Sequence, residues 1–476
     1  MVSAFGAGVL AATGHPSHFV GQVLLGPAGR AEAILVAAGR RANEARGRGQ
    51  ATSLSALVLS LSAALPAGAR LRATARLLSI LCFSGLFGSV SSPLSLQGLR
   101  ASRGAASPSP AARAGRPPSR WLVESPAPPL LSRRTVSEPL HTGVLVLDSL
   151  ASVGRGQREL ILGDRQTGKT SICLDAILNQ DSEPVACVFA SVGLRASTLL
   201  GISFSVLSRA PAFVAFVFAS SRDRPSLQYL APYSAAALAE FFMWAGQISI
   251  LVALDDLTKH AACYREVALL LRRPPGREAY PGEIFFLHSR LLERSSKLSL
   301  ALGGGSVTCF PVIEALAADV SAYISTNAIS ITDGQPFLSL ELFLSGKRPA
   351  VDVGLSVSRI GSAAQWAGLR GVSGSYKIEV ARYADLQSFA QLSSDLGPST
   401  QRALRRGGLL VSLLKQFCGA PLALPEELFI LSLSRGAGPA MEGGRAGEVE
   451  REAGAAQAVP GWAALYAPTR AIAQAL

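Results

Sequence analysis

The stretch that most constrains this chain runs from Gly163 to Thr170, Gly-Asp-Arg-Gln-Thr-Gly-Lys-Thr. It follows the apolar run Glu159 to Leu162 and opens a helical segment from Ser171 to Asn179. This is the G-x-x-x-x-G-K-[ST] spacing of a phosphate-binding loop between a strand and a helix. Glycines let the backbone turn tightly and gather N–H groups around an anion, and the helix N-terminus adds its partial positive charge. In such a loop Lys169 reaches the outer phosphates and the Thr170 hydroxyl joins a Mg²⁺ shell. Ile172, Ala176 and Ile177 share one helical face, as a helix packed on a sheet requires. The pattern admits one competing reading, an ordinary glycine turn before a core helix.

At 476 residues, two to four domains are expected. Mean hydropathy is high, yet no uninterrupted apolar run reaches the ~20 residues that span a bilayer. The stretch Leu54 to Leu65 alternates Leu or Val with Ser and reads as a strand. From about 140 to 335, apolar strands at Leu160–Leu162, Val185–Val192, Phe213–Ala219, Ile248–Leu254, Val307–Ile313 and Ala328–Ile331 alternate with helices. That is the signature of a mostly parallel sheet covered by helices, with ligands bound at the carboxyl ends of its strands. Short apolar segments near Val20–Leu25, Ala33–Ala38, Leu54–Ser62 and Leu71–Leu81 suggest a small N-terminal β-barrel. Residues 102–119 are rich in Ser, Pro, Ala, Gly and Arg and read as a linker. Beyond 370, the spacing of Leu386, Phe389 and Ala390, and of Leu410, Leu413 and Leu414, predicts a small helical domain. The expected organisation is a barrel over 1–95, a RecA-like nucleotide-binding domain over 96–370 and a shortened helical domain over 371–476, an α/β multidomain chain.

The net charge of +13 raises nucleic acid as a partner. The basic residues are mostly Arg scattered among Ala, Gly, Ser and Leu, residues 1–120 hold only Glu32 and Glu44 as acids, and no aromatic-interleaved basic stripe occurs. No nucleic-acid role is expected. The six cysteines lack metal-ligand spacing and read as buried thiols in a reducing compartment; the five histidines form no ligand pattern. Asp255 directly follows the apolar run from Ile248. An acid there can hold Mg²⁺ through water opposite Thr170, and Asp256 beside it suits a helix N-cap. Glu314 follows another strand and reads equally as an acid near the metal or a surface carboxylate. Taken alone, Arg359 reads as an arginine bridging to a nearby carboxylate.

From Trp121 onward the chain resembles the alpha subunits of F-type ATP synthases. The blocks Glu124–Arg134, Glu138–Gly143, Gly154–Leu160, Gly163–Thr170, Gln228–Tyr233, Leu270–Gly282, Leu287–Arg294, Asp319–Tyr323, Ile329–Gln335 and Pro349–Gln365 carry the resemblance. Glu124–Arg134 and Ala235–Met243 are more similar to the plastid and cyanobacterial branch. The resemblance implies a rotary machine in which three such chains alternate with three beta subunits around a gamma-type shaft. A delta-type peripheral stalk subunit completes it, and proton flow through a membrane sector drives ATP synthesis on the beta subunits. It implies ATP or ADP with Mg²⁺ bound here without turnover. Gly163, Asp164, Arg165, Gln166, Thr167, Gly168, Lys169, Thr170 and Ser171 would hold the phosphates, Thr170 and Asp255 the metal, and Phe343, Arg348, Pro349 and Gln416 the base. Arg359 would be an arginine finger acting in trans. The family's glutamine after the second strand is Leu194 here, which can neither take a proton nor orient water; a second glutamine near Gln416 is Cys418. The implied location is the stromal side of the plastid thylakoid membrane, peripherally attached, with the bacterial plasma membrane or mitochondrial inner membrane as alternatives. Two other readings stay open: an independent P-loop ring ATPase and a degenerate scaffold paralogue.

Overall fold

The structure is a computed structural model. It describes strands at 2–5, 9–14, 22–25, 31–40 and 52–58, then 72–82, 86–93, 99–100 and 119–432, apart from 183, 210–212, 316–318 and 391–396. The linker read at 102–119 falls outside these residues except for Ser119, and the Gly/Ala-rich tail from Gly436 lies outside them entirely.

Where the small barrel is expected, the strands Val2–Phe5, Val9–Gly14, Gln22–Leu25, Ala31–Arg40, Thr52–Val58 and Arg72–Leu77 form one six-stranded antiparallel sheet. The described residues divide into two compact units. One reaches Trp366 and takes in Gln416–Leu422; the other holds Ala367–Lys415 and the residues from Ala423.

The first unit is built on a nine-stranded sheet. Its strands are β1 (Ser89–Ser91), β2 (Leu99–Arg100), β3 (Ile161–Gly163), β4 (Val185–Leu194), β5 (Val214–Ser220), β6 (Ser249–Asp255), β7 (Ser306–Glu314), β8 (Gly334–Leu338) and β9 (Val351–Ser358). Their order is β9-β8-β3-β7-β6-β4-β5-β1-β2, with only the edge pairs β8/β9 and β1/β2 antiparallel. The inner strands are nearly all buried, because a parallel sheet takes helices on both faces. Helices α1 (Lys169–Leu178), α2 (Ala196–Arg209), α3 (Pro225–Phe241), α4 (Leu257–Leu270) and α5 (Ile284–Leu292) alternate with these strands. The boundary expected after residue 95 falls between β1 and β2, which pair with each other at the edge of this same sheet.

One expected strand is a helix. Ala328–Ile331 ends α6 (Tyr323–Ile331), whose buried Ile324, Ala328 and Ile331 recur at helical spacing. The strand that follows is β8, which starts three residues later. A short apolar run does not distinguish the two states, and the polar Thr326 and Ser330 lie on the exposed face.

The second unit is helical, as expected, with α8 (Ala367–Ser373), α9 (Tyr376–Ala390) and α10 (Pro398–Leu413). Buried Tyr376 donates from its hydroxyl to the Leu431 carbonyl at 2.8 Å, and Leu410 is buried. Among the described residues no helix is long and apolar enough to cross a membrane.

Candidate functional site: a phosphate loop with a nucleotide wall

The loop sits at the carboxyl end of β3, between β7 and β8. Gly163 pairs with Leu338, and a Cβ there would lie 2.4 Å from the Leu338 carbonyl oxygen, so only glycine lets the strands meet. Gly168 turns at φ +95, in the left-handed region, directly before α1. The Thr167 hydroxyl donates to the Asp164 carbonyl at 2.8 Å and ties the loop across its base.

Lys169 is buried, and its ammonium donates to the Gly163 carbonyl at 3.0 Å and to the Asp164 carbonyl. Burial lowers its pKa, against the carboxylates of Glu314, Asp256, Asp255 and Asp164. The Thr170 hydroxyl donates to Asp255 Oδ2 at 2.8 Å, which brings together the two residues expected at the metal. Burial, then the charge of Asp256, pushes the Asp255 carboxyl up to about 6. Asp256 is the N-cap of α4, accepting from the Lys259 N–H at 2.6 Å and pairing with its ammonium at 2.9 Å. Hydroxyl and carboxylate oxygens beside a phosphate site are the donors a largely hydrated Mg²⁺ takes. Glu314 leans over the loop, with Arg165 Nε 3.0 Å from its Oε2. Gln166 sits at φ 62 at the loop's tip.

The expected base contacts also converge. Leu338, beside Gly163, leads directly into α7 (Leu340–Leu344), which carries Phe343. The Arg348 guanidinium lies 4.3 Å from the Phe343 ring centroid, and a cis peptide joins Arg348 to Pro349. The Gln416 N–H donates to the Arg348 carbonyl at 2.8 Å. The Gln416 side chain is spent internally: Oε1 accepts from Leu145 N, and Nε2 donates to the Gly143 and Ala420 carbonyls. Gln416 therefore shapes this wall through the chain it holds, not through a free amide. Sequence reasoning missed Asp175 on α1, which accepts from Gly419 N at 2.8 Å and fixes the same loop to the phosphate helix. Cys418, in that loop, is exposed.

Leu194 closes β4 beside a register shift, half-buried, at the same end of the sheet as the loop. It places neither an acid nor an amide there. Arg359 follows β9 and is exposed; among the described residues its guanidinium makes no hydrogen bond or ion pair, and no bridging carboxylate is found there.

These features, a mostly parallel sheet with a phosphate loop at the end of a central strand and an aromatic wall beside it, define a RecA-like nucleotide-binding protein. Two sequence models of one family match the chain: the nucleotide-binding domain of the ATP synthase alpha/beta family over residues 143–358, and the C-terminal domain of its alpha/beta chains over residues 365–437. Together they span more than half of its 476 residues. The chain belongs to the ATP synthase alpha/beta family, whose members form the nucleotide-binding ring of F1-type ATPases.

Proposed function

We propose that this chain is the alpha-type member of that ring, binding Mg-ATP at its own site without turnover and lending Arg359 to a neighbouring beta subunit. The observation that carries the reading is the pairing of an intact phosphate loop with Leu194. The loop keeps its lysine, threonine and acid, while the position that would orient or deprotonate an attacking water is a hydrocarbon. Nucleotide is held by Gly163–Ser171, and the aromatic face of Phe343 with Arg348 and Pro349 packs the base. Bound Mg²⁺ would sit at Thr170 and Asp255 and neutralise phosphate charge there. Arg359, exposed and uncommitted, supplies a fixed planar charge to phosphoryl oxygens across a subunit boundary.

The wider assembly in this reading adds a gamma-type shaft, a delta-type stalk subunit and a proton-conducting membrane sector, with peripheral attachment at the stromal face of a thylakoid. The test is a comparison of the purified chain with its reconstituted complex. The chain alone should bind Mg-ATP and hydrolyse none; with family beta and shaft subunits it should form an alternating hexamer that hydrolyses ATP. Hydrolysis by the chain alone would instead favour an independent ring ATPase. A chain that neither binds nucleotide nor assembles would favour a degenerate scaffold.

A further inference from the structure

The exposed Arg359 side chain stands on an unusually constrained backbone. Its N–H donates to the Asp333 carbonyl at 2.9 Å. Asp333 is itself clasped by Arg158, just ahead of the phosphate-loop strand: Nε reaches Oδ2 at 2.9 Å, Nη2 reaches Oδ1 at 2.5 Å, and the Arg158 N–H reaches Oδ2 at 3.1 Å. The Asp333 N–H returns a bond to the Arg158 carbonyl at 2.9 Å. A carboxylate bound by both arms of a guanidinium and by a backbone N–H has little freedom left.

The neighbours of Arg359 are pinned as well. The Ser358 hydroxyl donates to the Ser152 carbonyl at 3.2 Å, and the Ser152 hydroxyl donates to the Gly361 carbonyl at 3.0 Å. Gly334, next to Asp333, pairs with Ser358; a Cβ on it would lie 2.4 Å from Glu159 Oε2 and 2.8 Å from the Val357 carbonyl oxygen. Burial, then the Asp333 charge, raises the pKa of the Glu159 carboxyl beside Gly334.

We propose that the Arg158–Asp333 pair is a positioning clamp, holding the peptide from which Arg359 projects so that its guanidinium is presented at a fixed reach to the partner's active site. The proposal rests on the trans-acting reading of Arg359. The pair touches no nucleotide in this scheme; it acts through Arg359, and it ties that residue to the strand that carries the chain's own phosphate loop. An arginine fork is needed, because a lysine ammonium provides one point of charge and leaves Asp333 free to rotate.

The test is a double-mutant cycle on steady-state ATP hydrolysis by the assembled complex, with hexamer content checked for each variant. Asp333→Asn keeps both backbone bonds and removes the charge; it should lower kcat about 10-fold with KM unchanged, as for a misplaced catalytic group. Arg158→Lys should act in the same direction. In an Arg359→Ala background, Asp333→Asn should cause no further loss, since there is nothing left to position. If Arg359→Ala leaves kcat unchanged, the trans-acting reading falls and the clamp falls with it. If Arg359→Ala lowers kcat while Asp333→Asn has no effect, or has the same effect in both backgrounds, the trans-acting reading stands and the clamp is refuted. Loss of assembly in both Asp333→Asn and Arg158→Lys would assign the pair to the folding core and overturn the positioning role.

Discussion

Replacing Asp255 by asparagine should stabilise the empty protein while weakening its hold on Mg-nucleotide. Asp255 is buried at the end of β6, and its carboxyl is pushed from an ordinary 3.8 to about 6 by burial and then by Asp256. The ionised form is therefore disfavoured in the fold. A rise of about two units corresponds to about 3 kcal/mol. The sign follows from proton uptake: between the two pKa values the native state keeps a proton that the unfolded chain has lost, so stability falls as pH rises through that window. Below it the carboxyl is neutral in both states and contributes no difference; above about 6 the penalty is complete. Asparagine is never charged and still offers Thr170 an acceptor. Asp255→Asn should therefore raise stability by about 1–3 kcal/mol near neutral pH, with the gain vanishing in acid. Urea unfolding of the nucleotide-free chain across this pH range measures it, with Mg-ATP affinity determined alongside by calorimetry. A gain that does not depend on pH, or a loss of stability at neutral pH, would refute the electrostatic account of this site.

Two further predictions concern the interior. Arg294 and Glu240 form a buried two-armed ion pair at 2.7 and 2.6 Å, extended by Trp121 Nε1 to Glu240 and by Arg294 to the Val123 carbonyl. Arg294→Ala leaves a buried carboxylate and should cost about 3–5 kcal/mol in urea unfolding; a cost near zero would mean that water reaches the pair. His260 and His288 lie 3.4 Å apart, with burial lowering them to about 4 and about 3. The unfolded chain binds protons near 6.5 that the native state refuses, so stability should decline as pH falls below that value. His288→Asn should flatten this acid limb; an unchanged slope would contradict it.

The phosphate loop was legible because its chemistry is local: the glycines, lysine and threonine are consecutive, and the strand before and helix after them have distinct periods. The five inner strands beginning near Leu160, Val185, Phe213, Ile248 and Val307 were legible for a similar reason, since burial on both faces demands unbroken apolar runs. Ala328–Ile331 was misread because four apolar residues suit either state, and the helical partner Ile324 lies outside that window. Other features depend on contacts distant in sequence. Gln416 spends its amide on Gly143 and Leu145, more than 270 positions away, and Asp175 meets Gly419 only once α1 is folded. The stacking of Tyr229 on His260, and the tilted contact of His260 with His288, join three helices whose sequences carry no shared pattern.

The central claim is that this chain acts on a neighbour's phosphoryl group and not on its own. Its most direct test is the hydrolysis rate of assembled hexamers carrying Arg359→Ala, compared at equal hexamer content with the unaltered complex. The account predicts a fall of about 1,000-fold with assembly intact and nucleotide still bound to this chain, the scale expected for loss of an arginine finger. An unchanged rate in intact hexamers would contradict it.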